Sequence, residues 1–353
     1  MRLVPRCVLL AAAPLVVLLA NAQTTPSPAL LILSKTDRAL AIVDPSTLQV
    51  VGRVPAGPDP HEVVASADGS TAYVSNYGFG AYHTITTIDL IAQTQLAPVD
   101  LGALRGPHGL MFQDGKVWFT AEAARCIGSY DPASGTVDWV MGIGQNRTHM
   151  IYVFPGARRI AVTNVNSGTV TILDEFETPA GGPPAGPPPG AGMQGPPPGP
   201  ILPPGHDWQL TNIPVGERSE GLDVTPDLKQ VWTVSPVDGK VYIIDADEKK
   251  VIATIDADAQ RANRLKFTPD GKLALISAGP DLVVIDVATR TVIKRIPIGH
   301  GSGGILVQPD GQRAYVACSP DNYVAVIDLK TLTIVGRIEP GGNPDGMAWA
   351  VQP

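Results

Sequence analysis

The sequence predicts an all-β fold: a seven-bladed β-propeller with four-stranded blades, the C-terminal strand completing the first blade. Three observations predict it. An Asp closing an apolar run recurs at Asp44, Asp89, Asp131, Asp174, Asp245, Asp286 and Asp328, with gaps of 45, 42, 43, 71, 41 and 42 residues. Each interval holds short apolar and β-branched runs, such as Ala72-Tyr73-Val74, Thr169–Leu173 and Val283-Val284-Ile285, between Pro-Asp-Gly-like turns. No useful helical periodicity competes with them. The composition agrees, with 37 Gly, 35 Pro and only 17% charged residues, as many short strands and tight turns require. Self-similarity at ~42 residues with four strands per copy is the pattern of propeller blades. A chain of 353 residues would otherwise suggest about two domains, but stacked repeats share one core.

The elements follow in order. Residues 1–22 read as a signal peptide: Arg2 and Arg6 give a basic start, Val8 to Ala20 is apolar except for Pro14, and Ala20-Asn21-Ala22 is a small-x-small cleavage signal. An exported protein, periplasmic or extracellular, is expected, with no stable membrane span after signal removal. Without Arg2 and Arg6 the chain carries 24 basic and 33 acidic residues, a formal charge of −9. That balance argues against nucleic acid as a partner. Residues 29–353 form the propeller. Leu30–Leu33 aligns with the second strand of other copies and Gly346–Val351 with the first, so the chain's end completes the first blade and hides both sheet edges. A monomer is expected. The long fourth gap coincides with residues 178–205, an uncharged Pro/Gly-rich stretch inserted between the third and fourth strands of blade four. It lacks the strict Gly period of collagen and reads as a surface loop or a contact for a partner.

Several of these segments resemble a known repeat. Ala72-Tyr73-Val74-Ser75-Asn76, Pro269-Asp270-Gly271, Pro309–Val316 and Val326-Ile327-Asp328 with Thr331 and Val335-Gly336 resemble the YVTN-type β-propeller repeat. The resemblance implies the fold. It does not imply one function, since the family includes surface, binding and uncharacterised exported proteins. Blade three also resembles virginiamycin B lyase repeats through Gly106-Pro107-His108-Gly109 and Val117-Trp118-Phe119-Thr120; Ala121 stands before Glu122 where that family has an acidic residue directly.

Equivalent positions in successive blades lie side by side around the central channel. Aligning the starts of the innermost strands gives His61, His108, His149, Glu220, Asn263, Gly303 and Asp345. Three His and a Glu thus fall on four consecutive blades. Two positions earlier, blades four to six carry Arg147, Arg218 and Arg261. His61, His108, His149 and Glu220 have the donor types of a divalent metal site. Arg147, Arg218 and Arg261, with Asn263 and Asp345, suit an anionic ligand. Channel-mouth side chains that only bind water are the competing expectation. Asn76, Tyr77, Tyr82, His83, Glu122, Asn164 and Cys318 are weaker candidates at the same face. Cys126 and Cys318 fall on blades three and seven, too far apart for a disulfide. No nucleophile elbow, P-loop or dinucleotide fingerprint is present. The leading expectation is a binding propeller for a small anionic molecule, metal or protein. The alternatives are a metal-assisted lyase or hydrolase acting on a cyclic or anionic substrate, and a surface scaffold.

Overall fold

The computed structural model describes residues 24–181 and 203–352. The expected signal segment 1–22 lies outside the described residues, as do residues 182–202 of the insertion. Seven antiparallel sheets are arranged as successive blades. Their innermost strands are Pro344–Ala350 in blade one, then Pro60–Ala65, Pro107–Gln113, Thr148–Val153, Leu222–Val224, Ala262–Phe267 and Ile305–Val307. Blade one is closed from both chain ends: Ala29–Ser34 pairs with Pro344–Ala350 through Leu30–Trp349, Leu31–Ala348 and Ile32–Met347.

The recurring Asp builds the turn after each blade's third strand. Asp44 accepts from the Ser46 N–H at 2.8 Å, Asp131 from Ala133 at 2.8 Å and Asp328 from Thr331 at 2.7 Å. A side chain that bonds the backbone two or three residues on fixes such a turn. Asp174 is the exception. In blade four the third and fourth strands, Thr169–Thr178 and Gly205–Pro214, run on past the usual turn to the pair Thr178–Gly205. Asp174 instead meets Arg159 at 2.5 Å and also pairs with Lys249 of blade five.

Blade two departs from four continuous strands. Its outermost strand is split into Thr94–Gln95 and Val99–Asp100, both paired with Thr84–Asp89. Pro98 lies in the break, where a residue without an N–H cannot continue a ladder.

The core sits between blades. Leu31, Leu40, Ile42, Val74 and Ile88 join blades one and two; Trp232, Val241, Ile243, Leu265 and Ile276 join blades five and six. Buried hydroxyls register one blade against the next at the level of the aligned position. Ser75 donates to the His108 carbonyl at 2.8 Å, Thr120 to that of His149 at 2.7 Å, Thr163 to that of Glu220 at 3.1 Å and Ser277 to that of Gly303 at 2.8 Å.

Candidate functional site at the channel mouth

The aligned residues share a backbone context. Of the seven residues two positions earlier, six have positive φ: Asp59, Gly106, Arg147, Arg218, Arg261 and Asn343, between 45° and 70°. The chain thus enters each of these inner strands through a left-handed residue, and the next-but-one side chain turns towards the axis.

His61, His108 and His149 come together as a stack. The rings of His108 and His149 have centroids 3.7 Å apart and are inclined at 32°; those of His61 and His108 are 4.8 Å apart. Tyr77 stands edge-on to both His61 and His108, at 4.9 Å. His149 lies between two carboxylates, Glu122 at Nδ1 and Glu220 at 2.9 Å from Nε2. The Glu220 approach is an ion contact without hydrogen-bond alignment, since Nε2 lacks an aligned partner. Tyr77 donates its hydroxyl to the other Glu122 oxygen, and the Arg147 Nε is 3.5 Å from Glu122.

A second charge group closes the channel beneath. Arg264, with a side chain 6% exposed, bridges Glu62 and Glu220, the latter at 2.9 Å. Asn263 donates to Glu220 at 3.1 Å. On the opposite side Lys35 lies 2.7 Å from His61 Nε2 and 3.3 Å from Asp345, while Asp59 is 3.5 Å from His61.

Burial and charge set the protonation states. Burial, reinforced by the charges of His149, His61, Arg264 and Arg147, holds His108 well below the usual imidazole range. Burial also opposes a charged His149, but Glu220 and Glu122 outweigh it and raise its pKa. Burial would raise Glu220, yet His149, Arg264 and Arg147 hold it well below the usual carboxylate range. The hydrogen bond from His61 leads in holding Asp59 at about 2. Burial and the bond to Glu122 push the Tyr77 phenol up, so it stays a donor. The stack is therefore a neutral His108 lying on a charged His149.

The site gathers His61, His108, His149, Glu220, Asn263, Asp345 and Arg147 of the residues the sequence singles out. Arg218 and Arg261 are exposed and make no ion pair among the described residues. Of the four residues with metal-donor character, the three histidines stack, His149 meets Glu220 and His61 meets Lys35. Glu122 and Glu220 engage both nitrogens of His149 and Lys35 engages His61, while His108 Nδ1 has no partner. Among the described residues no group of three or more His, Cys, Asp or Glu is disposed to hold a metal.

Three participants lay outside the aligned position. Glu62 and Arg264 sit one residue further along, where the other blades carry Gly109, Met150, Gly221, Gly304 and Gly346. Two opposite charges in a column of mostly glycine were the available signal. Lys35 reaches in from a loop and had none. Of the weaker candidates Tyr77 and Glu122 join the site. Asn76 instead donates to the Ala56 carbonyl next to blade one and accepts from a hydroxyl of its own blade, and Asn164 bonds hydroxyls inside blade four. Cys318 is buried and donates to the Ile298 carbonyl at 2.8 Å, and burial raises its thiol pKa.

Behind Glu62 and Arg264 the channel widens into a cavity of about 320 Å³, lined by Phe112, Tyr152, Lys266 and Trp349 among others. The cluster thus plugs one end of the channel.

No family model and no curated protein matches the chain. Solved structures do resemble it. A functionally unknown protein from Desulfotomaculum acetoxidans is 13% identical with a TM-score of 0.71, over 93% of this chain and 100% of that one. A putative 6-phosphogluconolactonase from Bacteroides uniformis is 16% identical with a TM-score of 0.65, over 92% and 99%. Hydrazine synthase of Kuenenia stuttgartiensis is 15% identical with a TM-score of 0.63, over 82% and 89%. At these identities the likeness is one of fold. The chain is a seven-bladed β-propeller.

Proposed function

We propose that the protein is an exported propeller of the YVTN-repeat type that binds a small hydroxylated anion at the channel mouth. One observation carries the reading. His108 Nδ1 and Asn263 Oδ1 are buried polar atoms without hydrogen-bond partners, and both belong to this cluster. Buried polar atoms are paired in the large majority of cases, so their concentration at one place marks a position for an incoming polar group. Asn263 Oδ1 accepts only, and calls for a hydroxyl or another donor. The exposed guanidiniums of Arg218 and Arg261 supply unpaired positive charge on the blades beside it. The internal cations are already matched: Arg264 by Glu62 and Glu220, His149 by Glu122 and Glu220.

The test is a calorimetric titration with hydroxy acids, sugar acids and their phosphates. The panel includes 6-phosphogluconate and its lactone, because of the name given to the Bacteroides uniformis propeller. The expected result is binding that weakens about 10- to 100-fold in the Arg218→Ala, Arg261→Ala double variant, as for the loss of charge-assisted hydrogen bonds. Turnover of the lactone would move the protein from binder to hydrolase. Equal affinity in the double variant and the parent would overturn the anion assignment. N-terminal sequencing of protein recovered from the cell exterior or periplasm tests export, with cleavage expected after Ala22.

A further inference from the structure

The chain has five Trp, and three of them share a groove between blades three and four. Trp118 and Trp139 have ring centroids 5.5 Å apart, and Trp139 and Trp208 5.2 Å apart. The groove encloses about 560 Å³ and is walled also by Asp138, Met141, Glu175 and His206. Trp118 is buried and its indole N–H donates to the Gln113 carbonyl at 3.2 Å. Trp139 and Trp208 are half-buried, and no bond from either indole N–H is seen among the described residues. Two indole donors without a partner among the described residues therefore border a groove away from the channel.

The groove lies where the Pro/Gly-rich insertion leaves and rejoins the blade. Glu175, His206, Asp207 and Trp208 belong to the two strands, Thr169–Thr178 and Gly205–Pro214, that flank the insertion. The insertion contains Pro187-Pro188-Pro189 and Pro196-Pro197-Pro198 and no charged residue. Proline-rich sequence has a preformed polyproline II conformation, and its carbonyls have no internal partners. It lacks N–H donors at proline and so needs donors from outside, which the free indoles provide. Grooves lined by aromatic rings are the usual partners of such segments.

We propose that this tryptophan groove is a polyproline-recognition site and that its occupant is this chain's own insertion. Tethering at both ends supplies the local concentration, of mM order for short flexible connections. Weak intrinsic affinity therefore suffices.

The test follows the indole N–H resonances of Trp139 and Trp208 by NMR in the full chain. A second variant has residues 183–200 with every Pro replaced by Ser, which keeps the length and leaves the blades untouched. Both resonances are expected to shift in the Ser variant and to exchange faster with solvent. A synthetic peptide of residues 183–200 added to that variant should restore them with a Kd on the order of 1 mM or tighter. Unchanged indole resonances in the Ser variant would overturn the proposal, and so would a peptide Kd weaker than about 10 mM. Parent-chain indole resonances that move with protein concentration would also overturn it, by assigning the groove to a second copy. Trp208→Ala in the parent chain should abolish the difference between the parent and Ser-variant spectra at Trp139.

Discussion

At the channel mouth the decisive fact is that few ionic side chains stand alone. Arg264 is nearly buried and holds two carboxylates, Glu62 and Glu220. Removing one partner of such a group strands the others in low dielectric. Arg264→Ala is therefore expected to cost about 3–5 kcal/mol, measured by urea denaturation at neutral pH. A loss below about 1 kcal/mol would mean that water already screens Glu62 and Glu220. The two central histidines respond to pH in opposite senses. His108 is held neutral in the fold, below its ordinary 6.5. Once the pH falls below 6.5 the unfolded chain takes up a proton that the folded chain refuses, so stability falls. His149 has a raised pKa; its contribution is complete below 6.5 and is lost as the pH rises through the folded value. In His108→Asn the acid-side penalty disappears. The variant's stability relative to the parent should then improve by up to about 1.4 kcal/mol per pH unit below 6.5. Parallel curves of stability against pH from 7 to 5 would show that His108 is protonated in the fold.

The inner strands explain how these side chains are brought into register. At the position after the aligned one, Gly109, Gly221, Gly304 and Gly346 alternate with Glu62, Met150 and Arg264. A Cβ on Gly109 would lie 2.4 Å from the His149 carbonyl oxygen, and one on Gly346 would lie 2.3 Å from that of His61. Each glycine therefore lets the next inner strand come close. A ring of seven cannot alternate throughout, and Gly304 beside Gly346 is the mismatch. Gly346→Ala is expected to cost about 1–3 kcal/mol by overpacking and to shift the His61 ring resonances. Gly142, with no atom within 4 Å of its would-be Cβ, is the control, expected to stay within about 0.5 kcal/mol as Ala. A thermal-melt comparison of the two variants decides it. The same column shows what was legible in the sequence. The Asp ladder and the closing strand could be read because turn chemistry and pairing repeat with fixed spacing. His61, His108, His149 and Glu220 could be grouped because a repeat places equivalents side by side. Glu62 and Arg264 lay one column over, where glycine sets the rule and charges break it. Lys35 and the Glu122 carboxylate come from loops, whose side-chain directions no repeat specifies. Whether imidazoles converge on a point or stack depends on strand spacing and on competing carboxylates, neither of which the spacing of letters contains.

The whole ring depends on one seam. Pro344–Ala350 fills the inner edge of blade one against Ala29–Ser34, every residue of which is buried. The seam also delivers Asp345 to Lys35 and His61. Nearby, the Ser27 hydroxyl and the Gln352 backbone hold the described ends together at 2.9 Å. A chain ending at Asn343 would leave Ala29–Ser34 as an apolar edge with unpaired backbone groups, which invites pairing with other chains. It is expected to elute as oligomers or aggregates on size exclusion with light scattering. If the seam matters only as pairing, where the chain is cut is unimportant. A circular permutant that links Gln352 to Ser27 and opens at the exposed turn between Asp131 and Thr136 keeps every strand pair except the hairpin connection itself. That permutant is expected to stay monomeric, to melt within a few degrees of the parent and to retain the His108 and His149 ring resonances. A permutant that aggregates like the truncated chain would place the requirement in the order of synthesis, with blade one closing last, and not in the closed ring.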